Sequence, residues 1–498
     1  MHYTDHVIPE RPRPLPEGPL YFVGVGGAGM SAIAQVLAER GHAVSGADPG
    51  ISSTVRARLE KSGVTVFTAH NAANLAEGVA AVVVSDAIPQ NNPEVNAARE
   101  RGLPIIRRPE ALGALMAQGR GIAIAGTHGK TTTTGMVASI LMAAGLDPTV
   151  LIGGDLPLIG GNARAGKGDI VLAESCEAYD GFLYLHPEIA VVLNVEADHL
   201  DYHGTAEHVF ESFRRFVRQV QPGGVAIVCM DDGPAYETVD SAIPDEGDVG
   251  FTTYGIERGY VSAKDVALDG PRPRFTLTKD HTVFSNTRPV SGESREDYED
   301  YPDTPLGQIT LGVPGLHNVQ NALAAASVAL ALGVAPEHII AGLQSFTGTG
   351  RRFERIGEAS GVLVVDDYAH HPTEIRATLA AARSAFPERR IVAVFQPHLY
   401  SRTRDNMEEF AAELGAADKV FLTDIYKARE EPIPGVSSEA LAERARAKKP
   451  GLDVVYVPDK NDLPAHLAEE LRPGDIVLTL GAGDIRAAGE GLLKIWTN

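Results

Sequence analysis

The sequence predicts an α/β protein of three domains, and three observations support this prediction. Short runs of apolar, mostly β-branched residues recur along the chain, and helical patterns separate them. Runs of about four to six such residues are typical of strands buried on both faces of a parallel sheet. The length of 498 residues corresponds to about three domains of roughly 100–200 residues each. The predicted strands are Tyr21–Val25, Val82–Val84, Ile122–Ala125, Ile170–Ala173, Ala190–Val195, Val362–Val365, Ile391–Phe395, Val420–Leu422 and Ile476–Leu480.

The order of strands and helices divides the chain into blocks. We expect a frayed N-terminal arm over residues 1–18, followed by domains over residues 19–118, 119–345 and 346–498. Because helices follow the strands, the sheets are expected to be parallel. Ligands of such sheets bind at the carboxyl ends of the strands, so we expect the chemistry in the residues that follow each apolar run.

Three predicted helices stop at a glycine, which is the residue that tolerates a left-handed C-terminal cap. The last of them is rich in alanine and closes the second domain. These helices are Ser31–Arg40 before Gly41, Lys130–Ala144 before Gly145 and Asn318–Leu332 before Gly333.

Composition and charge exclude several classes of protein. The chain has 44 Lys and Arg against 65 Asp and Glu, a net charge of −21, which opposes general binding to nucleic acid or to anionic membranes. No segment approaches the ~20 apolar residues of a membrane helix, and residues 1–19 lack the apolar core of a secretory signal. Two cysteines, Cys176 and Cys229, cannot form a disulfide framework. We therefore expect a cytoplasmic protein, and the sequence does not determine its oligomeric state.

A glycine-rich turn separates a strand from a helix in the second domain, where residues 123–134 read AIAGTHGKTTTT. Glycines let backbone N–H groups face phosphate oxygens, the helix N-terminus adds about half a positive charge, and Lys130 adds a full one. The turn is shorter than the general GxxxxGK[ST] pattern, because residue 124 is isoleucine. The alternative is a turn that binds nothing. We predict an ATP-binding P-loop formed by Gly126, Thr127, His128, Gly129, Lys130, Thr131 and Thr132.

A P-loop needs a metal partner, and two predicted strand ends supply ligands. Mg²⁺ prefers oxygen ligands and usually keeps several waters. Glu174 ends the strand Asp169–Glu174 and is predicted to hold a first ion together with Thr131 and phosphate oxygens. His199 follows the next strand and is placed near a second ion. The alternative for His199 is a hydrogen-bonded surface histidine, because imidazole is a poorer Mg²⁺ ligand than carboxylate.

A second glycine-rich turn opens the first domain, where residues 21–31 read YFVGVGGAGMS. Three glycines in the pattern GxGxxG, with an aspartate about 20 residues later, form a dinucleotide-binding fingerprint. The pattern places a pyrophosphate at a helix N-terminus but does not choose between NAD and a UDP-sugar. The candidate residues are Gly26, Gly27, Ala28, Gly29, Asp48 and Ser85.

Together these motifs resemble the Mur ligase superfamily, and most closely its alanine-adding branch. The shared segments occur in the family's order and cover nearly the whole chain. They are VGVGGAGMSAIA (23–34), SDAIPQNNPE (85–94), AGTHGKTTTT (125–134), ADHLDYHG (197–204), HNVQNA (317–322), GRRFE (350–354), VDDYAHHPTE (365–374), FQPHLYSRT (395–403) and LGAGDI (480–485).

The resemblance implies a Rossmann-like UDP-sugar domain, a central P-loop ATPase domain and a C-terminal Rossmann-like domain for the amino acid. It implies a ligase of peptidoglycan precursor synthesis whose substrates are ATP, UDP-N-acetylmuramate and L-alanine. The lactyl carboxylate of the sugar attacks the γ-phosphate to form an acyl phosphate, and the amine of alanine then attacks the carbonyl. Two Mg²⁺ ions are the implied cofactors.

The resemblance also assigns roles in the second domain. Lys130 matches the lysine that holds the β- and γ-phosphates. Thr131 and Glu174 match the Mg²⁺ ligands, and His199 matches the second metal site. The residues that match the nucleotide-contacting pair are Asn318 and Asn321.

In the third domain, Arg352 and Asp367 match the residues that reach ATP when the domains close. Cations must screen the repulsion between a carboxylate and a triphosphate, and an arginine can grip a carboxylate through two hydrogen bonds. The residues expected to gather the alanine and the sugar carboxylate are His370, His371, His398 and Arg402.

Two departures from the family pattern are expected to alter local contacts. The residues after Glu174 read Ser-Cys-Glu-Ala-Tyr, where many members have Ala-Asp-Glu-Ser-Asp, and Leu399 replaces an arginine. Simpler roles also remain for three pairs: Asp366 and Asp367 as a helix cap, His370 and His371 as a solvated turn, and Arg351 and Arg352 as a surface ion pair. The alternative functions are a ligase for a preformed peptide, an NAD-linked oxidoreductase and a non-catalytic nucleotide-binding regulator.

Overall fold

The structure is a computed structural model that describes residues 8, 11–198, 200–243, 248–256, 258–279, 303–428 and 430–497. Helices and strands alternate around three sheets, which confirms the predicted α/β class. The chain forms two compact units. Unit 1 comprises residues 1–264, 276–309 and 320–346, and unit 2 comprises residues 265–275, 310–319 and 347–498. Among the residues described, no helix is both long and apolar enough to cross a membrane.

The first sheet belongs to unit 1 and has five parallel strands in the order β3-β2-β1-β4-β5. Its central strands are buried because their residues are almost all apolar. The strands are β1 (Leu20–Val23), β2 (Val44–Ala47), β3 (Thr65–Phe67), β4 (Ala81–Val84) and β5 (Ile105–Arg107). The helices are α1 (Ala28–Glu39), α2 (Ser53–Lys61), α3 (Pro93–Glu100) and α4 (Arg108–Met116).

The second sheet has ten strands in the order β15-β14-β13-β12-β11-β10-β6-β9-β7-β8. The strands from β9 through β6 and β10 to β12 pair in parallel, so their carboxyl ends meet at one edge. The strands are β6 (Arg120–Ala125), β7 (Thr149–Leu156), β8 (Gly161–Arg164), β9 (Ile170–Glu174), β10 (Ile189–Val192), β11 (Val225–Cys229), β12 (Gly250–Gly255), β13 (Val261–Ala267), β14 (Arg274–Lys279) and β15 (Thr304–Thr310). The helices are α5 (Lys130–Ala143), α6 (Leu200–His203), α7 (Ala206–Val217), α8 (Gly233–Asp240), α9 (Leu316–Ala331) and α10 (Pro336–Ser345).

The third sheet belongs to unit 2 and has six strands in the order β16-β17-β21-β18-β19-β20. All neighbours pair in parallel except β16 and β17. The strands are β16 (Glu354–Ala359), β17 (Val362–Asp367), β18 (Arg390–Phe395), β19 (Lys419–Leu422), β20 (Asp453–Tyr456) and β21 (Asp475–Leu480). The helices are α11 (Pro372–Ala385), α12 (Tyr400–Asp405), α13 (Met407–Glu413), α14 (Ser438–Lys448), α15 (Leu463–Glu470) and α16 (Arg486–Thr497).

The three helices that were predicted from their terminal glycines are present, and each glycine has a positive φ: +91° at Gly41, +72° at Gly145 and +75° at Gly333. Helix α5 begins at Lys130 as predicted, whereas α1 and α9 begin before the predicted residues. Helix α1 begins at Ala28, three residues early, because Gly27 takes an extended conformation and serves as its N-cap. The fingerprint turn is therefore partly helical.

Candidate active site

The P-loop turn lies between β6 and α5 and depends on two glycines. Gly126 has φ of +142° and Gly129 has φ of +83°, values that side-chain-bearing residues rarely adopt. A Cβ on Gly126 would stand 2.9 Å from the Cβ of Leu193, and one on Gly129 would stand 2.6 Å from Oδ1 of Asn321. The glycines therefore allow the turn to pack tightly while α5 begins with its N-terminus at the same edge of the sheet.

Lys130 is the first residue of α5, and its ammonium group lies inside the turn. Nζ donates hydrogen bonds to the carbonyl oxygens of Gly126 and Thr127, at 2.5 and 2.9 Å, and to Oε2 of Glu177 at 2.9 Å. Burial alone lowers the pKa of Lys130, but Glu177 and other nearby groups outweigh it and raise the pKa to about 12. The lysine is thus held fully charged where phosphate oxygens are expected.

Two oxygen ligands meet beside this lysine. Thr131 donates from Oγ1 to Oε1 of Glu174 at 3.0 Å, and the N–H of Gly153 donates to Oε2 of Glu174 at 2.7 Å. Glu174 ends β9, which pairs directly with β6. A carboxylate and a hydroxyl at this spacing fit the oxygen preference of Mg²⁺. Of the predicted metal ligands, Thr131 and Glu174 come together, and His199 lies outside the described residues.

Asn194 and Glu196, which follow β10, form hydrogen bonds with the P-loop turn. The N–H of His128 donates to Oδ1 of Asn194 at 2.7 Å, and the N–H of Glu196 donates to Oγ1 of Thr127 at 2.9 Å. Thr133 donates to Oδ1 of Asn321 at 3.2 Å, which ties α9 to α5. Asn194 is not among the residues predicted for the site, and its contact follows from the pairing of β10 with the P-loop strand β6.

The first glycine-rich turn also carries a carboxylate. Asp48 follows β2, and it accepts hydrogen bonds from the N–H groups of Gly26 and Gly50, at 2.9 and 2.8 Å. A Cβ on Gly26 would stand 2.8 Å from Oδ2 of Asp48. Gly27, Ala28 and Gly29 form the N-terminus of α1, and Ser85 follows β4. The predicted sugar-nucleotide residues therefore share one edge of the first sheet, because β2, β1 and β4 are neighbours.

In unit 2, Asp367 ends β17 and is buried. Its two oxygens accept hydrogen bonds from the N–H groups of Phe353 and Ala369, at 2.7 and 2.8 Å. Burial raises the pKa of Asp367 to about 6, although the guanidinium of Arg352 opposes the change. The same guanidinium adds to the effect of burial on His317, whose pKa falls to about 4.

Arg352 and the two histidines that follow β17 share the carboxylate of Glu374. A nitrogen of Arg352 lies 3.6 Å from Oε1 of Glu374. The N–H groups of His370 and His371 donate to Oε2 of Glu374, at 2.9 and 3.3 Å. Glu374 is not among the residues predicted for the site, although its place in the first turn after Pro372 is typical of a capping box.

The residues predicted to gather the alanine lie at the ends of β17 and β18. The rings of His370 and His398 are 6.1 Å apart between centroids, and the ring of His398 stacks on Tyr426 at 5.6 Å. Nη1 of Arg402 lies 3.4 Å from Nδ1 of His398. Three of the four residues therefore surround one edge of the third sheet, and His371 is buried beside them.

Asp366 and Arg351 have structural partners of their own, and Asp366 is not the cap of α11. Glu374 caps α11, whereas Asp366 accepts hydrogen bonds from Nε of Arg351 and from Thr479, at 3.0 and 2.7 Å. Arg351 also donates to the carbonyl oxygens of Gly481 and Gly483. Arg351 is therefore a structural residue, and Arg352 remains the candidate for the site.

Three family models match consecutive parts of the chain: the catalytic domain of the Mur ligase family over residues 19–120, the Mur ligase middle domain over 124–329, and the glutamate ligase domain of Mur ligases over 351–483. The chain belongs to the Mur ligase family. It is therefore an ATP-dependent ligase with the three-domain architecture that the resemblance implied.

Several relatives of this Mur ligase are similar along nearly their whole length. The UDP-N-acetylmuramate–L-alanine ligase of Trichlorobacter lovleyi is 47% identical over 477 residues, which cover 95% of this chain and 98% of that protein. The ligase of the same name from Geobacter sp. strain M21 is 45% identical and covers 95% and 96%. The solved structure of UDP-N-acetylmuramate–alanine ligase from Thermotoga maritima is 26% identical, has a TM-score of 0.77, and covers 96% and 99%.

The predicted site residues of this Mur ligase fall in both units. Unit 1 brings together the P-loop, Glu174 and Asn321, and separately the residues around Asp48. Unit 2 brings together Arg352, Asp367 and the three residues around His398. Asn318 lies in unit 2, where its Nδ2 donates to the carbonyl oxygen of Pro314 at 2.6 Å. The roles of these residues stay predictions.

Proposed function

We propose that this Mur ligase joins L-alanine to UDP-N-acetylmuramate at the expense of ATP. The products are ADP, phosphate and UDP-N-acetylmuramoyl-L-alanine. The observation that carries the proposal is the 47% identity to a UDP-N-acetylmuramate–L-alanine ligase over 95% of the chain. The partly buried, fully charged Lys130, in the same turn as Thr131 and Glu174, supports the phosphoryl-transfer half of the reaction.

In the first step an oxygen of the lactyl carboxylate attacks the γ-phosphorus of ATP, and the bond to the β-phosphate oxygen breaks. Lys130 then faces the phosphate oxygens on which negative charge is spread during transfer. To bind phosphate, Lys130 has to give up or share the hydrogen bonds that it donates to Glu177 and to the carbonyl oxygens of the turn. The pKa of about 12 keeps its proton in place throughout.

Thr131 and Glu174 would hold the Mg²⁺ ion, and both offer oxygen atoms at the N-terminus of α5. When bound, the ion would neutralise phosphate charge and orient the γ-phosphate. The N–H of Gly153 keeps one Glu174 oxygen in place, so the other remains directed at Thr131. We keep His199 as the candidate near a second ion.

In the second step the amine of alanine attacks the carbonyl carbon of the acyl phosphate, and phosphate leaves. Arg402 is suited to bind a substrate carboxylate through its planar guanidinium, and His370, His371 and His398 line the same sheet edge. Asp367 has a pKa of about 6, which is close enough to neutrality for a proton acceptor. Arg352 supplies a further cation for the phosphate that departs. We expect domain closure to unite these groups with the P-loop, since they lie on a different domain.

The sugar nucleotide is proposed to bind at the first turn. Its pyrophosphate would accept hydrogen bonds from the N–H groups of Gly27, Ala28 and Gly29, and Asp48 would accept from a ribose hydroxyl. Gly26 and Ser85 complete this edge. We place the reaction in the cytoplasm and propose neither nucleic acid nor a membrane as a partner.

The proposal is tested by measuring phosphate release while single components are omitted. We expect release that requires ATP, Mg²⁺, UDP-N-acetylmuramate and L-alanine, and that needs no dinucleotide. Mass spectrometry of the product should show the alanyl sugar nucleotide. Ligation of a preformed peptide in place of alanine, or turnover without the triphosphate, would contradict the proposal.

A further inference from the structure

Two adjacent arginines at the end of β5 have very different surroundings. Arg107 donates from Nε to Oδ1 of Asp86 at 3.0 Å and from Nη1 to the hydroxyl of Tyr184 at 2.9 Å. Burial lowers the pKa of Arg107, but Asp86 and Tyr184 outweigh it and raise the pKa. Arg108 is also partly buried, yet among the described residues its guanidinium forms no hydrogen bond or ion pair. The charge of Arg107 is compensated within the fold, and that of Arg108 is not.

The position of Arg108 on its helix is unfavourable as well. Arg108 is the first residue of α4, where the helix dipole places positive charge and favours anions. Glu110 lies in the same turn, but its carboxylate accepts a hydrogen bond from the N–H of Arg107 at 2.7 Å. A partly buried cation at a helix N-terminus without an anionic partner is electrostatically unfavourable. Unfavourable local arrangements of this kind are expected at functional sites.

The guanidinium of Arg108 lies against the start of α1. A Cβ on Gly29 would stand 3.1 Å from Nη1 of Arg108, so the glycine permits a close approach. On the other side, a Cβ on Gly181 would stand 3.7 Å from Nη2. Gly181 follows the segment that carries Glu174 and Glu177. Arg108 therefore lies between the sugar-nucleotide turn and the ATP-binding domain, all within unit 1.

We propose that Arg108 binds the pyrophosphate of the uridine nucleotide and supplies the cation that the first turn lacks. The inference rests on the proposed function. The first turn of α1, Ala28–Ser31, has no basic residue, so a pyrophosphate there would meet only backbone N–H groups of the helix. A guanidinium fork matches phosphate oxygens and forms two hydrogen bonds with them. Arg108 is not expected to bind the reacting carboxylate of the sugar, because that carboxylate has to lie at the P-loop, where the γ-phosphate is bound.

The test compares the binding of uridine and UDP by titration calorimetry of the full chain. We expect Arg108→Gln to weaken UDP binding at least ~10-fold, because a hydrogen bond to a charged group is lost, and to leave uridine binding unchanged. Arg108→Lys keeps the charge without the fork and should give an intermediate loss. Arg56→Gln, at an exposed ion pair on α2, is the matched control and should bind both ligands normally.

The binding measurements distinguish a failure of the Arg108 inference from a failure of the proposed function. Equal losses for uridine and UDP would show that Arg108 supports the fold, and would overturn the inference. Unchanged UDP binding with weakened binding of UDP-N-acetylmuramate would assign Arg108 to the carboxylate and would also overturn it. If Arg108→Gln does not fold, normal UDP binding by Arg108→Lys still contradicts a role for the fork. Failure of the unmodified chain to bind any uridine nucleotide would contradict the proposed function itself.

Discussion

Two ionisable side chains, the partly buried Lys130 in unit 1 and the buried Asp367 in unit 2, differ in the form that their surroundings favour. Lys130 in unit 1 lies against the carboxylate of Glu177, and its pKa rises to about 12. Asp367 in unit 2 accepts two backbone hydrogen bonds, but its pKa rises to about 6 because burial outweighs the nearby Arg352. A counter-charge in hydrogen-bond contact stabilises the charged form, whereas burial favours the neutral form when it outweighs the nearest counter-charge.

We propose that the two side chains have different roles in the reaction. The P-loop presents a permanent positive charge that suits the binding of phosphate. The third domain presents a carboxyl group with a pKa of about 6, which would suit proton transfer during attack by an amine. The carboxylate of Glu374, 3.6 Å from a nitrogen of Arg352, also raises the pKa of Asp367 by charge repulsion.

The largest effect is expected from removal of the permanent charge. Lys130→Ala should lower kcat/KM by at least ~100-fold, or ~3 kcal/mol, since one preorganised electrostatic contact of the transition state is lost. Steady-state phosphate release measures the effect. Lys61→Ala, at an exposed lysine of α2, is the control and should be near normal. Near-normal turnover of Lys130→Ala would refute the assignment of the P-loop.

Asp367 should contribute a pH-dependent term to stability. Its pKa is about 6 in the folded chain and 3.8 ordinarily, so the folded state binds the proton more tightly. The contribution of Asp367 therefore falls as pH rises from about 4 to about 6 and is constant above that range.

Asp367→Asn removes the pH-dependent contribution of this carboxyl group to stability. The free energy of unfolding of the variant, measured by denaturant titration, should increase relative to the unmodified chain over that pH range, by at most about 3 kcal/mol. Asp405→Asn, on the exposed end of α12, should show no such trend. A constant difference between Asp367→Asn and the unmodified chain would mean that Asp367 is charged throughout.

Glu174→Gln tests whether the carboxylate beside the P-loop serves the metal. The amide keeps an oxygen for Thr131 but loses the charge, so the Mg²⁺ concentration for half-maximal activity should rise at least ~10-fold. Glu60→Gln, in the exposed pair with Arg56, is the matched control. An unchanged Mg²⁺ dependence would remove Glu174 from the metal site.

The smallest effect is expected at Cys176, two residues beyond Glu174. Burial, assisted by Glu177, raises the pKa of this thiol, although Lys130 and Arg108 oppose the change. Since the thiolate is the reactive form, alkylation by iodoacetamide at neutral pH should be slower than that of a free thiol. Cys176→Ser should change stability by less than ~0.5 kcal/mol. Rapid alkylation of Cys176 in a Cys229→Ser background would contradict this expectation.

Much of the local backbone structure could be predicted from the sequence. The strands, the glycine caps and the turn from β6 into α5 follow from local patterns, and β9 ends at Glu174 as predicted. Backbone conformation depends mostly on near neighbours, so glycines, β-branched runs and helical spacing carry that information. The same patterns led to the Mur ligase resemblance, which the family models and relatives confirm.

Only the tertiary structure decided which charged residues have partners. The pairs Arg107–Arg108 and Arg351–Arg352 look equivalent in the sequence, yet Arg107 and Arg351 are held by Asp86 and Asp366 while their neighbours are directed elsewhere. The contact of Thr133 with Asn321 likewise joins residues 188 positions apart. Such partners, and the pKa values that depend on them, are set by packing between distant segments, and no local pattern of residues encodes that packing.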